Sequence, residues 1–173
     1  MGNTKIAKIV GRRVWDSRGR PTVEAEVTLA GGAVGRAIAP AGASTGSGEA
    51  VDRRDGGAAF GGYDVTGAVA AVNGEIATAL AGLPSTDQAA VDDALIRLDG
   101  TENKSRLGGN AMIATSLAVA HAAAAAGKVP LWRYLAAGSV PATMPRPEIQ
   151  LFGGGAHAGR RVDVQDFMIV ATG

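Results

Sequence analysis

The sequence predicts an α+β fold in which a three-stranded β-meander is followed by a run of helices. Apolar residues alternate with a period of two over residues 5–40, whereas after residue 65 they recur at helical spacing. Prolines at positions 141, 145 and 147 then separate this region from two more strand-like segments. We therefore expect one domain over residues 1–140 and the start of a second over residues 141–173.

The meander is clearest at "PTVEAEVTLA", residues 21–30, where apolar side chains occupy one face and Thr and Glu the other. This alternation is typical of a half-buried strand. The following Gly31-Gly32 indicates a hairpin turn into a return strand over residues 33–40. "KIAKIVGRRVWD" supplies the preceding strand, and "WDSRGRPTVE" predicts a tight turn that carries a solvated arginine, Arg18.

Four helices follow from the apolar spacing: residues 66–81, a segment ending before Gly100, residues 110–126 and residues 131–137. Ser85 and Gln88 match a capping box at the start of the second helix, and Gly100 fits its C-terminal end. The polar run "LDGTENKSRLGGNA" before the third helix predicts a hydrogen-bonded cap. Beyond the prolines, "EIQLF" and "VDVQDFMIVA" indicate two further strands.

The amino-acid composition argues against several classes of function. The chain has 173 residues, 46% of them hydrophobic, with a net charge of +1. These values argue against disorder and against a nucleic-acid partner held by a basic face. Without cysteine there is neither a disulfide nor a thiolate metal site. The N-terminus lacks the apolar core of a signal peptide, and the apolar run near residue 124 is too short for a membrane span. We therefore expect a cytoplasmic protein without a membrane partner.

Two glycine-rich segments carry candidate chemistry. In "APAGASTGSGEA", residues 39–50, the hydroxyls of Ser44 and Thr45 are within reach of a metal ion or phosphate if the segment closes as a lid. The alternative is an ordinary flexible connection, and the Gly-Lys-Ser/Thr ending of a P-loop is missing.

The second segment is "FGGGAHAGRRVDVQDFM", residues 152–168. Its His157 can contact a substrate anion or transfer a proton, although a lone histidine is more often structural, as we expect for His121. Gly153 to Ala158 also matches a dinucleotide fingerprint. That fingerprint requires a helix next, and the alternating residues that follow do not predict one.

Taken in order, these segments resemble the N-terminal part of the enolase family, the phosphopyruvate hydratases. "DSRGRPTVEAEV" is similar to the opening signature of the family, and "PAGASTGSGEAVDRRDG" to its mobile catalytic loop. "LDGTENKSRLGGNAMIATSLAVAHAAAAAGKVPLWRYL" resembles its long helical region, and "GGGAHAGRRVDVQDFMIV" its first barrel hairpin. The resemblance implies a capping domain over residues 1–140 and the first two strands of an α/β barrel over residues 141–173.

The resemblance also implies an activity: Mg²⁺-dependent removal of water from 2-phosphoglycerate to give phosphoenolpyruvate. By this resemblance Ser44 coordinates the second Mg²⁺, and His157 binds the phosphate end of the substrate. Asp166 stands where the family has a glutamate that helps the hydroxyl leave. Glu49 matches the loop pattern without a chemical role that we can assign.

The sequence departs from the family in ways that leave alternatives open. The lysine base and the three carboxylates of the first Mg²⁺ site belong to the barrel, so we expect a second chain or a C-terminal segment to supply them. Asp166 is one methylene shorter than glutamate, and "EIQLFGGG" and "RRDGGAAFGGYDV" also differ. These changes favour a paralogue acting on another phospho- or phosphonocarboxylate. A non-catalytic binding subunit is a third hypothesis, and the resemblance also implies a homo-oligomer.

Overall fold

The computed structural model describes residues 3–42, 45–136 and 143–172, and it confirms the α+β class. The chain divides into two compact units. The first comprises Met1–Ala41 and Gly48–Ala137, and the second comprises Gly42–Ser47 and Gly138–Gly173. Each unit is described by itself.

The first unit contains the predicted meander followed by helices. Its antiparallel sheet has the order β1-β2-β3, with strands β1 (Ile6–Trp15), β2 (Pro21–Leu29) and β3 (Val34–Ile38). The helices are α1 (Thr66–Ala71), a π-helical turn (Val72–Ile76), α2 (Ala77–Leu80), α3 (Gln88–Asp99), α4 (Gly109–Ala126) and α5 (Leu131–Leu135). The predicted elements are all present, and most are shorter by a few residues at their ends.

The core of this unit lies between the sheet and α4. The alternating apolar residues of β2, from Val23 to Leu29, are almost completely buried. Helix α4 packs against β2 and β3 through its alanines. The approach is closest at Gly35, where an added Cβ would lie 2.1 Å from the Ala122 nitrogen and 2.3 Å from the Ala118 oxygen. Backbone therefore packs directly on backbone at this point.

The opposite face of β2 is more buried than the prediction of a half-buried strand allowed. Glu24 is only 6% exposed, because Arg12 and Arg36 on the flanking strands both bind its carboxylate, at 2.9 and 2.6 Å. Arg12 also donates hydrogen bonds to Glu26, and this contact lowers the pKa of the Glu26 carboxyl. Long side chains across the strands thus cover the polar face.

The first predicted helix is continuous over α1, the π-helical turn and α2, since the residues at both junctions keep helical backbone angles. Asn73 lies in the π-helical turn. Its amide accepts a hydrogen bond from the Gly11 nitrogen at 2.9 Å and donates to the Gly11 oxygen at 3.0 Å. The Asn73 side chain thereby satisfies both backbone groups of Gly11 at the outer edge of β1.

The predicted capping box at the start of α3 is wrong. The N-cap is Asp87, whose carboxylate accepts the hydrogen bond from the Ala90 nitrogen at 3.0 Å. The Ser85 hydroxyl is buried without a hydrogen-bond partner among the described residues. Gln88 instead donates to Asp92 and Ser116. Because aspartate caps as well as serine does, the pattern alone did not distinguish the two residues.

The predicted cap between α3 and α4 is confirmed. Gly100 ends α3 with φ +69°. Asp99 is 2% exposed and accepts hydrogen bonds from the Leu107 nitrogen at 2.8 Å and from the nitrogen and hydroxyl of Thr101. Burial opposes ionisation of Asp99, but these hydrogen bonds outweigh it and hold its pKa below the ordinary value.

Helix α4 is longer than the apolar run that the sequence shows. By length and composition alone it meets the requirement for a membrane span, but 67% of it is buried inside the protein. The core helix of a globular domain has the same properties.

Replacing Gly35 with alanine tests the close packing of α4. We expect the Gly35→Ala variant to lose about 3 kcal/mol of unfolding free energy, because the new methyl group overlaps the α4 backbone. Chemical denaturation measures this loss. Gly74→Ala is the matched control, since nothing lies within 4 Å of its added Cβ. This control should be neutral or slightly stabilising. Equal stability of the two variants would contradict the packing argument.

The pH dependence of stability tests Asp99. Its folded pKa is lowered, so its contribution is present above the unfolded pKa of about 3.9 and disappears as the pH falls through the folded value. We expect Asp99→Asn to lose about 1–3 kcal/mol at pH 7. The loss relative to the parent chain should shrink in acid, as measured by denaturation at several pH values. Asp93→Asn, at a 66% exposed side chain, should change little. A loss of stability in Asp99→Asn that does not change with pH would contradict the stabilising role of the ionised Asp99 carboxylate.

Candidate functional site

The second unit contains the two strands predicted after the prolines, paired as an antiparallel hairpin. These strands are β4 (Glu148–Gly153) and β5 (Asp166–Val170). The rings of Phe152 and Phe167 face each other across the strands with centroids 4.4 Å apart. This cross-strand pair stabilises the register. The second strand begins later than predicted, because residues 160–165 form the end of the connecting turn.

His157 lies in this connecting turn. It belongs to a short 3₁₀ helix (Gly155–Ala158), and His157 is exposed. Two hydrogen bonds close the turn: the Gly154 nitrogen donates to the Gln165 oxygen at 2.6 Å, and the Gly155 nitrogen donates to the Val162 oxygen at 2.7 Å. The glycines therefore shape the turn that presents His157.

Asp166 is the first residue of β5 and pairs in register with Gly153, the last residue of β4. It therefore lies at the same end of the hairpin as the turn that contains His157. Its exposed carboxylate accepts hydrogen bonds from the amides of Gln150 and Gln165. The structure therefore places Asp166 and His157 at one end of a single hairpin.

Gln150 is a neighbour of Asp166 that the sequence analysis missed. It pairs with Met168, two residues after Asp166, so both polar side chains lie on one face of the hairpin. The alternation of side chains and an antiparallel register would have indicated this diagonal contact. The sequence analysis could not supply the register, because a bulge between Gln150 and Phe152 shifts the strand pairing.

The third predicted site residue, Ser44, lies outside the described residues. Its neighbour Thr45 and the family-matching Glu49 are described and exposed. The described chain up to Ala41 and again from Gly48 belongs to the first unit.

Both stems of the segment that contains Ser44 are anchored on the first unit. Before it, the Thr22 hydroxyl donates to the Ala39 oxygen at 2.7 Å. After it, Val51 donates to the Asn103 oxygen at 2.7 Å and accepts from the Gly109 nitrogen at 2.8 Å. The ends of this segment are therefore held by the meander and by the start of α4.

Arg18 is exposed, as the sequence predicted, and it also has a partner that the sequence did not predict. Its guanidinium donates a hydrogen bond to the Ala41 oxygen. The turn itself is held by Asp16, whose carboxylate accepts from the nitrogens of Arg20 and Arg18, both at 2.8 Å. The hydrogen bond from Arg20 is the main reason that the pKa of Asp16 lies below its ordinary value. An ionised carboxylate thus orders the turn that supports the segment.

The described residues do not by themselves form a magnesium site. Within residues 3–42, 45–136 and 143–172, no three histidine, aspartate or glutamate side chains lie together as metal ligands. His121, exposed on α4, belongs to the first unit. What the hairpin offers is a carboxylate and an imidazole, which suit proton transfer and anion binding.

Replacing Gly154 tests whether the turn that carries His157 depends on that glycine. We expect Gly154→Ala to open the turn, because the added Cβ would lie 2.0 Å from the Val164 oxygen. Backbone amide exchange at Gly155 and Arg160 should quicken by at least about tenfold. Gly159→Asn is the control, since its φ of +59° suits asparagine and nothing lies within 4 Å of the added Cβ. Unchanged exchange in Gly154→Ala would show that the turn tolerates a side chain there.

A comparison with protein families agrees with this architecture. The family model described as "Enolase, N-terminal domain" matches residues 6–135, which include the whole sheet and all five helices of the first unit. The match covers most of the 173 residues. The chain belongs to the enolase N-terminal domain family.

Proposed function

We propose that the chain supplies the capping domain and the first barrel hairpin of an enolase-type lyase, which removes water from 2-phosphoglycerate with Mg²⁺. Membership of the enolase N-terminal domain family points to an enolase-superfamily lyase in general terms. The observation that carries the specific proposal is the hairpin, which holds His157 and Asp166 at one end.

The exposed hairpin supports the proposal that further barrel strands complete the site. Most of its large apolar side chains are exposed, on both strands and in the turn: Ile149, Leu151, Phe152, Val162, Val164, Met168, Ile169 and Val170. Strand edges and apolar faces of this kind are normally covered by neighbouring strands and helices. We propose that a further segment of the same protein, or a second polypeptide, covers them and contributes the general base and the first metal site.

In this proposal three polar side chains of the hairpin have separate tasks. His157 binds the phosphate end of the substrate, because an exposed imidazole on a glycine-rich turn can approach an anion. Asp166 gives a proton to the departing hydroxyl so that it leaves as water. The amide of Gln150 holds the Asp166 carboxylate in place. The first two tasks follow from the family resemblance, and the third follows from the contact.

A paralogue with another phospho- or phosphonocarboxylate substrate is the second candidate. Aspartate is shorter than glutamate by about 1.5 Å of reach, and Gln150 donates to its shorter carboxylate. A displacement of this size can lower a rate by about 10²-fold for a substrate that needs the longer side chain. A substrate with its leaving group nearer β5 would suit aspartate instead. We also propose a cytoplasmic location and a homo-oligomer, as the resemblance implies.

Dehydration of 2-phosphoglycerate with Mg²⁺ tests the proposed function. The chain is assayed alone and mixed with a polypeptide that contains an enolase barrel, and complex formation is measured separately. We expect activity only in the mixture. Asp166→Asn and His157→Gln should each lower kcat/KM by at least about 10²-fold. Arg97→Gln, at an exposed arginine on α3, is the control and should have no effect.

The remaining outcomes separate the alternatives. If the complex forms but is inactive, and Asp166→Glu restores activity toward 2-phosphoglycerate, the paralogue is supported. If neither Asp166→Glu nor a panel of phosphonocarboxylates gives turnover in a formed complex, the catalytic proposal is wrong and a binding subunit remains.

A further inference from the structure

The thirteen arginines of this chain differ in whether their guanidinium groups have a partner. The ten from Arg12 to Arg133 each place the guanidinium against a carboxylate, a carbonyl oxygen or an aromatic ring. In the part of the chain that the structure describes, the guanidinium group of Arg146 has no such partner, and neither do those of Arg160 and Arg161, which alone of the three lie in the turn with His157. Both side chains are exposed. Among the described residues, the charges of Arg160 and Arg161 therefore take part in no ion pair or hydrogen bond that stabilises the fold.

Both arginines lie in the turn that carries His157. The Gly155 nitrogen donates a hydrogen bond to the Val162 oxygen at 2.7 Å, and this contact closes the turn between the two residues. Within it the Arg160 nitrogen donates to the Gly155 oxygen at 2.8 Å. One closed turn thus presents an imidazole and two guanidinium groups within five positions. Asp163 is the nearest carboxylate in sequence, and it forms no ion pair with either arginine among the described residues.

The backbone at Arg160 adds a second observation. Its φ is +61°, in the left-handed region that glycine and asparagine occupy with less strain. The preceding residue, Gly159, has φ +59°. Phe60, Lys104 and Lys128 adopt the same region, so the backbone angle alone assigns no function. What distinguishes Arg160 is that it combines this strained backbone with a place in the turn that carries His157.

We propose that Arg160 and Arg161 are specificity-determining residues that, with His157, bind a dianionic phosphoryl or phosphonyl group. Guanidinium groups donate paired hydrogen bonds to the oxygens of such groups, and two of them match a double negative charge better than the single charge of a carboxylate. The inference rests on the proposed function for the identity of the substrate. The binding of the anion can be measured without turnover.

The two histidines of the chain make the measurement selective. His157 lies in the turn and His121 lies on α4 of the other unit, so one imidazole reports on the proposed site and the other is an internal control. The full chain is titrated at low salt with inorganic phosphate, methylphosphonate and acetate while both imidazole proton signals are followed by NMR. We expect phosphate and methylphosphonate to shift the His157 signal, to leave His121 unchanged, and to bind more tightly than acetate.

Charge-removing variants test the arginines themselves. The double variant Arg160→Gln with Arg161→Gln should weaken phosphate binding by about tenfold, which is typical of two exposed charge contacts. The corresponding double lysine variant should bind with intermediate affinity, because it keeps the charge and loses the paired geometry. Arg97→Gln is the matched control and should bind phosphate as the parent chain does. These side chains are exposed, so none of the variants should unfold the chain.

Two results would overturn the inference: equal shifts of both histidines, or phosphate affinity unchanged in the double glutamine variant. In an active complex, the same variant should raise KM for a phosphorylated substrate with little change in kcat. If phosphate binds through the arginines while no turnover is found, the anion site stands and the proposed activity fails. If turnover is found but the arginines do not affect KM or phosphate binding, the proposed activity stands and this inference fails.

Discussion

Helix α4 lies against β3 at a distance that only glycine permits. The backbone of Ala118 and Ala122 occupies the space where a side chain at Gly35 would be. Such close contact lets small side chains fill the core densely, although each alanine buries only a modest apolar area. The first unit therefore has a dense core with few large residues. The polar cap of Asp99 and the loop stem at Val51 both lie at the start of this helix.

Several carboxylates of this unit are held by nearby partners, although the Ser85 hydroxyl is buried without one among the described residues. Glu24 is buried beneath two arginines, Asp99 caps the loop before α4, and Asp16 orders the turn before β2. Each of these carboxylates accepts several hydrogen bonds, so its charge is stabilised despite burial. The hairpin differs from this unit, because two of its arginines and many of its apolar side chains are exposed. Groups that a fold does not satisfy internally are those available to a substrate or a partner.

The two units thus differ in how far their own residues cover their apolar and polar groups. The first has a closed core, a covered polar face and satisfied caps. The second is a hairpin whose apolar side chains are exposed on both strands and whose end carries His157, Asp166 and the paired arginines. A closed core in the first unit and exposed strands in the second support the proposal that further barrel strands cover the hairpin.

The sequence by itself determined the elements and their order, because the period of apolar residues changes where strands give way to helices. It also predicted the cap before α4 and, through its motifs, the family. It could not identify Asp87 rather than Ser85 as the helix cap, since both residues suit that position. Nor could it pair Gln150 with Asp166, or Arg18 with the Ala41 oxygen. Those contacts join residues that are distant in sequence, and strand register and tertiary packing decide which of many compatible partners come within hydrogen-bonding distance.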